Sequence, residues 1–152
     1  MINTRKMNKK ELKNALISAI NATFDKKVVA QRYERLNGKE LENLPLIVES
    51  KLTGLRTKEF ISSLKKILGK EIFEVSLKKK AVRSGKGKFR GRKYKRSAGI
   101  LLVVGKEEKL KANSFESKNT GGLGVSDLAE GGIGRITLYT EQAIKDLGEK
   151  LK

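Results

Sequence analysis

The chain has 152 residues, of which 38% are hydrophobic and 34% are charged, and this composition can bury a domain-sized core. The 35 lysines and arginines outnumber the 17 acidic residues and give a net charge of +18. Because self-repulsion of this size opposes compaction, the charge indicates a polyanionic partner, with nucleic acid ahead of an anionic membrane surface. The lack of cysteine and histidine excludes disulfides, thiolate metal sites and imidazole bases.

No apolar run in the sequence approaches the roughly 20 residues needed to span a bilayer. The longest such run, Ile100–Val104, has the length of a buried strand. We therefore expect no membrane partner, and the lack of cysteine fits a protein of the reducing cytoplasm. The sequence contains no internal repeat and no low-complexity linker, so residues 1–152 are predicted to form a single domain.

The first half of the chain predicts helices that alternate with strands. Asn8 is the expected N-cap of a first helix, and a second, weaker helix is predicted over Val28–Leu36 before the Asn37-Gly38 turn. The apolar face of the first helix repeats at helical spacing through Leu12, Ala15, Leu16, Ala19, Ile20 and Phe24. Next come a strand at Leu44–Val48, a helix capped by Thr57 that ends near Gly69, and a strand at Ile72–Leu77.

The second half predicts a central buried strand followed by shorter elements. The five aliphatic residues of Ile100–Val104 favour a parallel strand that is covered on both faces. A short helix is predicted over residues 107–114, a last strand over Ile136–Tyr139, and a final helix capped by Thr140. This alternation predicts an α/β fold: a three-layer αβα-type domain with a mostly parallel sheet and a long basic loop.

Residues 78–96, KKKAVRSGKGKFRGRKYKR, are called the basic segment below. Eleven of these 19 residues are lysine or arginine and none is acidic, so the segment holds +11 of the net charge of +18. Glycines allow a close backbone approach to phosphates, and Phe89 and Tyr94 can stack on unpaired bases. Arginine forks suit bidentate phosphate contacts, whereas the lysines act as point charges. We interpret the segment as an RNA-binding loop that takes its shape on RNA; the alternative is a solvated loop or a targeting tract.

The predicted RNA-binding residues lie mainly within the basic segment. These are Lys78, Lys79, Lys80, Arg83, Lys86, Lys88, Phe89, Arg90, Arg92, Lys93, Tyr94, Lys95 and Arg96. Outside it, further phosphate contacts are expected from Arg5, Lys6, Lys9 and Lys10 at the first helix. Arg135 is added because the glycines before it, Gly131-Gly132 and Gly134, could cradle a phosphate.

Four tracts of the sequence, in order, resemble the archaeal and eukaryotic form of the ribosomal large-subunit protein four family. Residues 84–96 resemble its basic signature, and residues 8–20 resemble the helix after its internal extension. Residues 44–48 with 57–59 resemble the next strand and helix, and residues 128–141 resemble the closing strand and helix. The resemblance implies an α/β protein that binds large-subunit ribosomal RNA and supports assembly and translation, next to neighbouring large-subunit proteins and without a cofactor, a metal or a catalytic residue.

The sequence departs from this family at its start. Members of the family begin with a further N-terminal segment and a long basic extension, whereas this sequence starts just before the helix that follows the extension. The expectation is therefore a split or truncated protein, or a separate chain that supplies the missing N-terminal half.

The rival hypothesis from the residues is a small metal-dependent RNA-processing enzyme, with a free RNA chaperone as a further alternative. Such an enzyme needs two or three carboxylates that converge on Mg²⁺. Glu49 and Glu74 lie near predicted strand ends and could converge, although exposed charge is the simpler reading of both. No Walker-type phosphate loop is present in the sequence, and this leaves a nucleotide site unsupported.

Overall fold

Six strands and five helices lie in the parts of the chain that the computed structural model describes, residues 7–33, 43–111 and 115–151. The helices are α1 (Lys9–Phe24), α2 (Lys26–Arg32), α3 (Thr57–Ser76), α4 (Val125–Leu128) and α5 (Glu141–Lys150). The strands are β1 (Leu46–Val48), β2 (Lys80–Val82), β3 (Tyr94–Arg96), β4 (Leu101–Val104), β5 (Glu116–Asn119) and β6 (Thr137–Thr140). Short 3-10 turns lie at Ser50–Gly54 and Lys86–Lys88.

Four of the strands form one parallel sheet in the order β1-β6-β4-β5. Leu138 in β6 is the partner of Leu46 on one side and of Leu102 on the other. Since every pair in this sheet is parallel, all four strands begin at one edge, the amino edge, and end at the opposite, carboxyl edge. The predicted α/β fold with a mostly parallel sheet is confirmed.

Helices cover both faces of the sheet and give the domain three layers. Along β4, Leu102 and Val104 join a core with Phe60 and Leu64 of α3, whereas Leu101 and Val103 join the opposite core with α1 and α5. All four residues of β4 are at most 2% exposed. This burial on both faces explains the unbroken aliphatic run, because each buried aliphatic side chain stabilises the fold by about 1.5–3 kcal/mol.

The predicted caps of the first and last helices are confirmed. The Asn8 side chain accepts a hydrogen bond from the Lys10 amide at 3.1 Å, and the Thr140 hydroxyl accepts one from the Ala143 amide at 3.2 Å. In addition, the Tyr139 hydroxyl lies 2.9 Å from the Thr23 hydroxyl and links β6 to α1.

The strand predicted at Ile72–Leu77 is wrong, because helix continues to Ser76. Gly69 interrupts α3 with a φ of 73°, so the predicted stop is a kink after which a second helical stretch begins. Phe73 then returns to the core formed by Leu64 and Leu68. The predicted Thr57 cap is also wrong, since Arg56 holds the N-cap position and makes no side-chain cap bond.

Other departures concern loops and an edge strand. Residues 107–111 are not helical, and residues 112–114 of that predicted helix lie outside the described residues. The second helix ends at Arg32; the end of its predicted range and the Asn37-Gly38 turn also lie outside them. β5 was not predicted, because its sequence ESKN has no apolar residue. It is the outermost strand of the sheet, and its residues alternate between half-buried and exposed positions. Across the described ranges, no helix has the length and apolar character to cross a membrane.

Candidate nucleic-acid interface

The basic segment forms a two-stranded antiparallel ribbon instead of an irregular loop. Lys80 in β2 is the partner of Arg96 in β3, and Val82 is the partner of Tyr94. Beyond β2, the Arg83 amide donates to the Lys93 carbonyl at 2.8 Å. The turn at the tip depends on Gly85 and Gly91, whose φ values of 81° and 74° belong to the left-handed region.

The side chains of the basic segment are exposed along its whole length. Phe89 at the tip is 81% exposed and Tyr94 is 46% exposed, which is unusual for aromatic rings. The Lys80 ammonium lies 3.9 Å from the centroid of the Tyr94 ring. Exposed rings interleaved with cations can stack on unpaired bases while the cations bind phosphates.

The cations of the segment are largely unneutralised. Lys78 is its one cation that pairs with a carboxylate of a described residue, Glu116, at 3.3 Å. Arg83 has a partly structural role, because its Nε donates to the Arg92 carbonyl at 3.2 Å. The remaining cations point into solvent and form a dense positive field that a polyanion can neutralise.

Hydrogen bonds fix the two ends of the segment to the domain. The Ser97 hydroxyl accepts from the Lys79 amide at 2.9 Å and donates to the Leu77 carbonyl at 3.2 Å. The Ile100 amide donates to the Ser76 carbonyl at 2.7 Å. Gly99 is required here, because its φ is 70° and a Cβ would lie 2.9 Å from Lys78 Cβ. These contacts fix the position at which the segment leaves the amino edge of the sheet. The two stretches that make them, residues 76–79 and 97–100, are called the root of the segment below.

Arg135 organises the interior beneath this root. Its side chain has no exposed surface. Its Nε donates to the Gly99 carbonyl at 2.9 Å and its Nη2 donates to the Ala98 carbonyl at 2.8 Å. Nη1 donates to the Asp127 carbonyl at 2.7 Å, and the guanidinium pairs with Glu116 at 2.9 Å and Glu130 at 3.2 Å. This set of contacts is called the Arg135 cluster below.

The cluster corrects the prediction that Arg135 contacts phosphate, since the guanidinium is buried and hydrogen bonded to the protein itself. Burial alone would raise the pKa of Glu116, but the hydrogen bond and charge of Arg135, aided by Lys78, hold that pKa below its ordinary value. The same carboxylate thus contacts Lys78, at the start of the basic segment, and Arg135. Arg135 in turn donates to the carbonyls of Ala98 and Gly99, just after the end of the segment.

The structure does not place Lys9 with the basic segment. Lys9 lines a groove of about 470 Å³ with Leu123, Gly124 and Lys150. Lys150 donates to the Thr120 carbonyl at 2.7 Å, just past the carboxyl end of β5. Lys10 is exposed in the first turn of α1, and Arg5 and Lys6 lie outside the described residues. Any phosphate contact by Lys9 or Lys10 would belong to a second surface.

At the carboxyl edge, where open parallel sheets usually bind ligands, the carboxylates of Asp146 and Glu108 accept hydrogen bonds from within the domain. Asp146 accepts from the Lys106 amide at 2.8 Å and from Gln142 at 3.0 Å. Glu108 accepts from the Gly105 amide at 2.8 Å and the Thr140 hydroxyl at 2.6 Å. The Lys106 amide in particular lowers the pKa of Asp146. Both carboxylates therefore have a structural role, because they accept hydrogen bonds from the loop after β4, from β6 and from α5.

The hypothesis that Glu49 and Glu74 converge on a metal assumed that both lie near strand ends. The strand assumed for Glu74, Ile72–Leu77, is wrong. Glu74 lies within α3 and not at the end of a strand. Glu49 follows β1, is 71% exposed and pairs weakly with Lys51 at 3.8 Å. Within residues 7–33, 43–111 and 115–151, no three acidic side chains are grouped so that they could hold a metal ion.

Similarity to known proteins extends over nearly the whole chain. It is 37% identical to the large ribosomal subunit protein uL4 of Methanosphaera stadtmanae over 95% of its own length. It is 38% identical to the uL4 proteins of Methanocaldococcus jannaschii and Archaeoglobus fulgidus, over 97% and 96% of its length. The chain is homologous to uL4. It spans 58–60% of the length of these uL4 relatives. No protein-family model matches it.

Proposed function

We propose that this chain binds large-subunit ribosomal RNA through the basic segment and acts as a structural, non-catalytic constituent of the large ribosomal subunit. The observation that carries the proposal is the basic segment itself, an exposed ribbon with eleven cations and one carboxylate partner among the described residues. Such a ribbon can lie between RNA helices, with its cations on phosphates and Phe89 on an unpaired base.

Two further observations support this proposal over a free-standing enzyme. The chain is homologous to proteins named for the large ribosomal subunit. The carboxylates at the carboxyl edge of the sheet are occupied by hydrogen bonds within the domain. As a constituent of the ribosome, the chain would have ribosomal RNA and neighbouring large-subunit proteins as its partners. It would act in the cytoplasm, where translation takes place.

The uL4 relatives are longer than the part that this chain matches. That a separate chain supplies the part of the uL4 relatives that this chain does not match stays a prediction. Mass spectrometry of purified particles tests it, because such a chain would copurify with this one and match the rest of the uL4 relatives.

Sedimentation of cell extract on a sucrose gradient, before and after a high-salt wash, tests the proposal as a whole. We expect this chain to migrate with the large subunit and to stay there after the wash, as an integral component does. A position at the top of the gradient would contradict the proposal and favour a free RNA chaperone.

A further inference from the structure

A groove of about 480 Å³ lies at the root of the basic segment. Its walls come from Tyr33 just after α2, from Glu74 and Leu77 at the end of α3, and from the two strands of the ribbon. A volume of this size falls within the range of about 300–1,000 Å³ that small-ligand sites occupy. The groove is therefore large enough to take a nucleotide.

The two sides of the groove differ in chemistry. Leu77, Ala81 and the Tyr33 ring supply apolar and flat surface, whereas the ribbon supplies cations. The Arg32 guanidinium lies 5.4 Å from the centroid of the Tyr33 ring and adds a second planar group. The cations of the ribbon that line the groove are Lys79, Lys95 and Arg96. Flat groups beside cations suit an unstacked base and its phosphates.

Glu74 is the one acidic residue among those that line the groove. It is exposed, and its carboxylate forms no ion pair with any residue that the structure describes, although four cations share the groove. An ionised carboxylate only accepts hydrogen bonds, and it can accept two in parallel. Guanine offers two adjacent donors, N1–H and the N2 amino group, on one edge. The corresponding edges of adenine, cytosine and uracil place an acceptor beside the donor, which would face the second carboxylate oxygen.

The groove is held open by contacts within the domain. The Tyr33 hydroxyl accepts from the Ile136 amide at 3.2 Å, and Arg32 donates to the carbonyls of Glu130 and Gly132. On the opposite wall, the Ser97 hydroxyl accepts from the Lys79 amide. A preformed groove costs little ordering entropy when a ligand binds.

We propose that this groove binds one unstacked guanine nucleotide of single-stranded RNA. Glu74 accepts from the guanine edge, the base lies against Tyr33 and Arg32, and the ribbon cations bind the flanking phosphates. This inference rests on the proposed RNA binding, because the basic segment brings the RNA to the groove. It adds base selectivity to a surface that otherwise recognises only charge and flat rings.

The test measures binding of the full chain to labelled oligouridine by fluorescence anisotropy. The same oligouridine is also prepared with one central guanosine, adenosine or cytidine. We expect the guanosine probe to bind about tenfold tighter than the other three, as a bidentate carboxylate contact allows. Glu74→Gln should remove most of this preference, because an amide presents one donor and one acceptor. Glu49→Gln is the matched control, with the same charge change on an exposed residue away from the groove.

The outcomes separate this inference from the proposal on which it rests. Equal binding of all four probes, with normal salt dependence, would overturn the guanine site and leave RNA binding by the segment intact. A preference that survives in Glu74→Gln would also overturn the site, provided that the variant melts at the wild-type temperature. No binding of any probe would overturn RNA binding itself and the guanine site with it.

Discussion

The basic segment and the central sheet are both built from short strands, but different interactions hold them in place. β4 is at most 2% exposed, and its side chains pack against helices on two faces. β2 and β3 are exposed throughout, and a two-stranded ribbon is only marginally stable on its own. The segment therefore takes its direction from its root, where Ser97 and the Arg135 cluster fix its ends.

This contrast separates the residues that shape the segment from those that recognise the partner. Ser97 and Gly99 are neutral, Arg135 is buried, and these three residues set where the segment leaves the sheet. The cations and rings of the segment are exposed, and Lys78 is the one of these cations that pairs with a carboxylate of a described residue. Substitutions in the first group should change stability, whereas substitutions in the second should change RNA binding at nearly constant stability.

The largest expected effect is on RNA affinity. Replacing Arg90, Arg92, Lys93 and Arg96 together by glutamine removes four exposed cations. If each binds one phosphate of ribosomal RNA, the slope of log K against log salt should flatten by about three units. Filter binding to a large-subunit RNA fragment at several salt concentrations measures this slope, and thermal unfolding should be nearly unchanged.

A matched control for that variant replaces four exposed lysines of the helical layers and loops by glutamine. They are Lys26, Lys58, Lys66 and Lys109. We expect a change of less than one unit in the slope, because these cations lie outside the basic segment. Equal effects of the two sets would mean that net charge, and not the segment, determines RNA binding.

Next in size is the loss of stability on replacing Arg135 by methionine. The variant leaves Glu116 and the carbonyls of Ala98 and Gly99 without their buried partner, at a cost of about 3–5 kcal/mol. Urea denaturation measures the loss. Arg56→Met, at an exposed arginine before α3, should change stability by less than about 0.5 kcal/mol. A small loss in Arg135→Met would contradict the role of the cluster.

The sequence predicts the buried sheet better than the root. The aliphatic run of β4 and the caps at Asn8 and Thr140 are local signals, so those predictions are confirmed. The run after Gly69 is ambiguous, because a few apolar residues in a row suit either a strand or a buried helix. These residues form a helix in the structure because Phe73 then packs into the same core as the rest of α3. β5 is polar and owes its place to pairing with β4.

Arg135 shows why charge pattern alone misassigns function. An arginine after three glycines fits a phosphate cradle, and nothing nearby in sequence indicates burial. Its partners at Ala98, Gly99 and Glu116 come from segments 19 to 37 residues away. Within the basic segment the pattern is dense enough to suggest an interface, whereas a single arginine needs the structure to assign its role.

A smaller effect is expected from the ring at the tip of the segment. Phe89 is 81% exposed, and loss of its stacking in Phe89→Ala should weaken binding to single-stranded RNA by about 1–3 kcal/mol. The salt slope should stay constant, because no cation is removed. Val82→Ala removes an exposed apolar side chain of the same ribbon that has no ring, and should bind like the wild type. If both variants lost affinity equally, apolar area and not stacking would be the cause.

The smallest effect concerns pH, since the carboxylates beneath the segment are partly exposed and solvent screens them. Despite burial, Arg135 and Lys78 lower the pKa of Glu116 in the folded chain. The unfolded chain then binds more protons, so the contribution of this group is present above its ordinary pKa of about 4.3 and is lost as pH falls through the lowered value. Glu116→Gln should therefore be less stable than the wild type at pH 7, and this difference should shrink towards pH 3. Urea denaturation of both proteins at each pH measures it; a constant difference would show that Glu116 acts through packing and not through its charge.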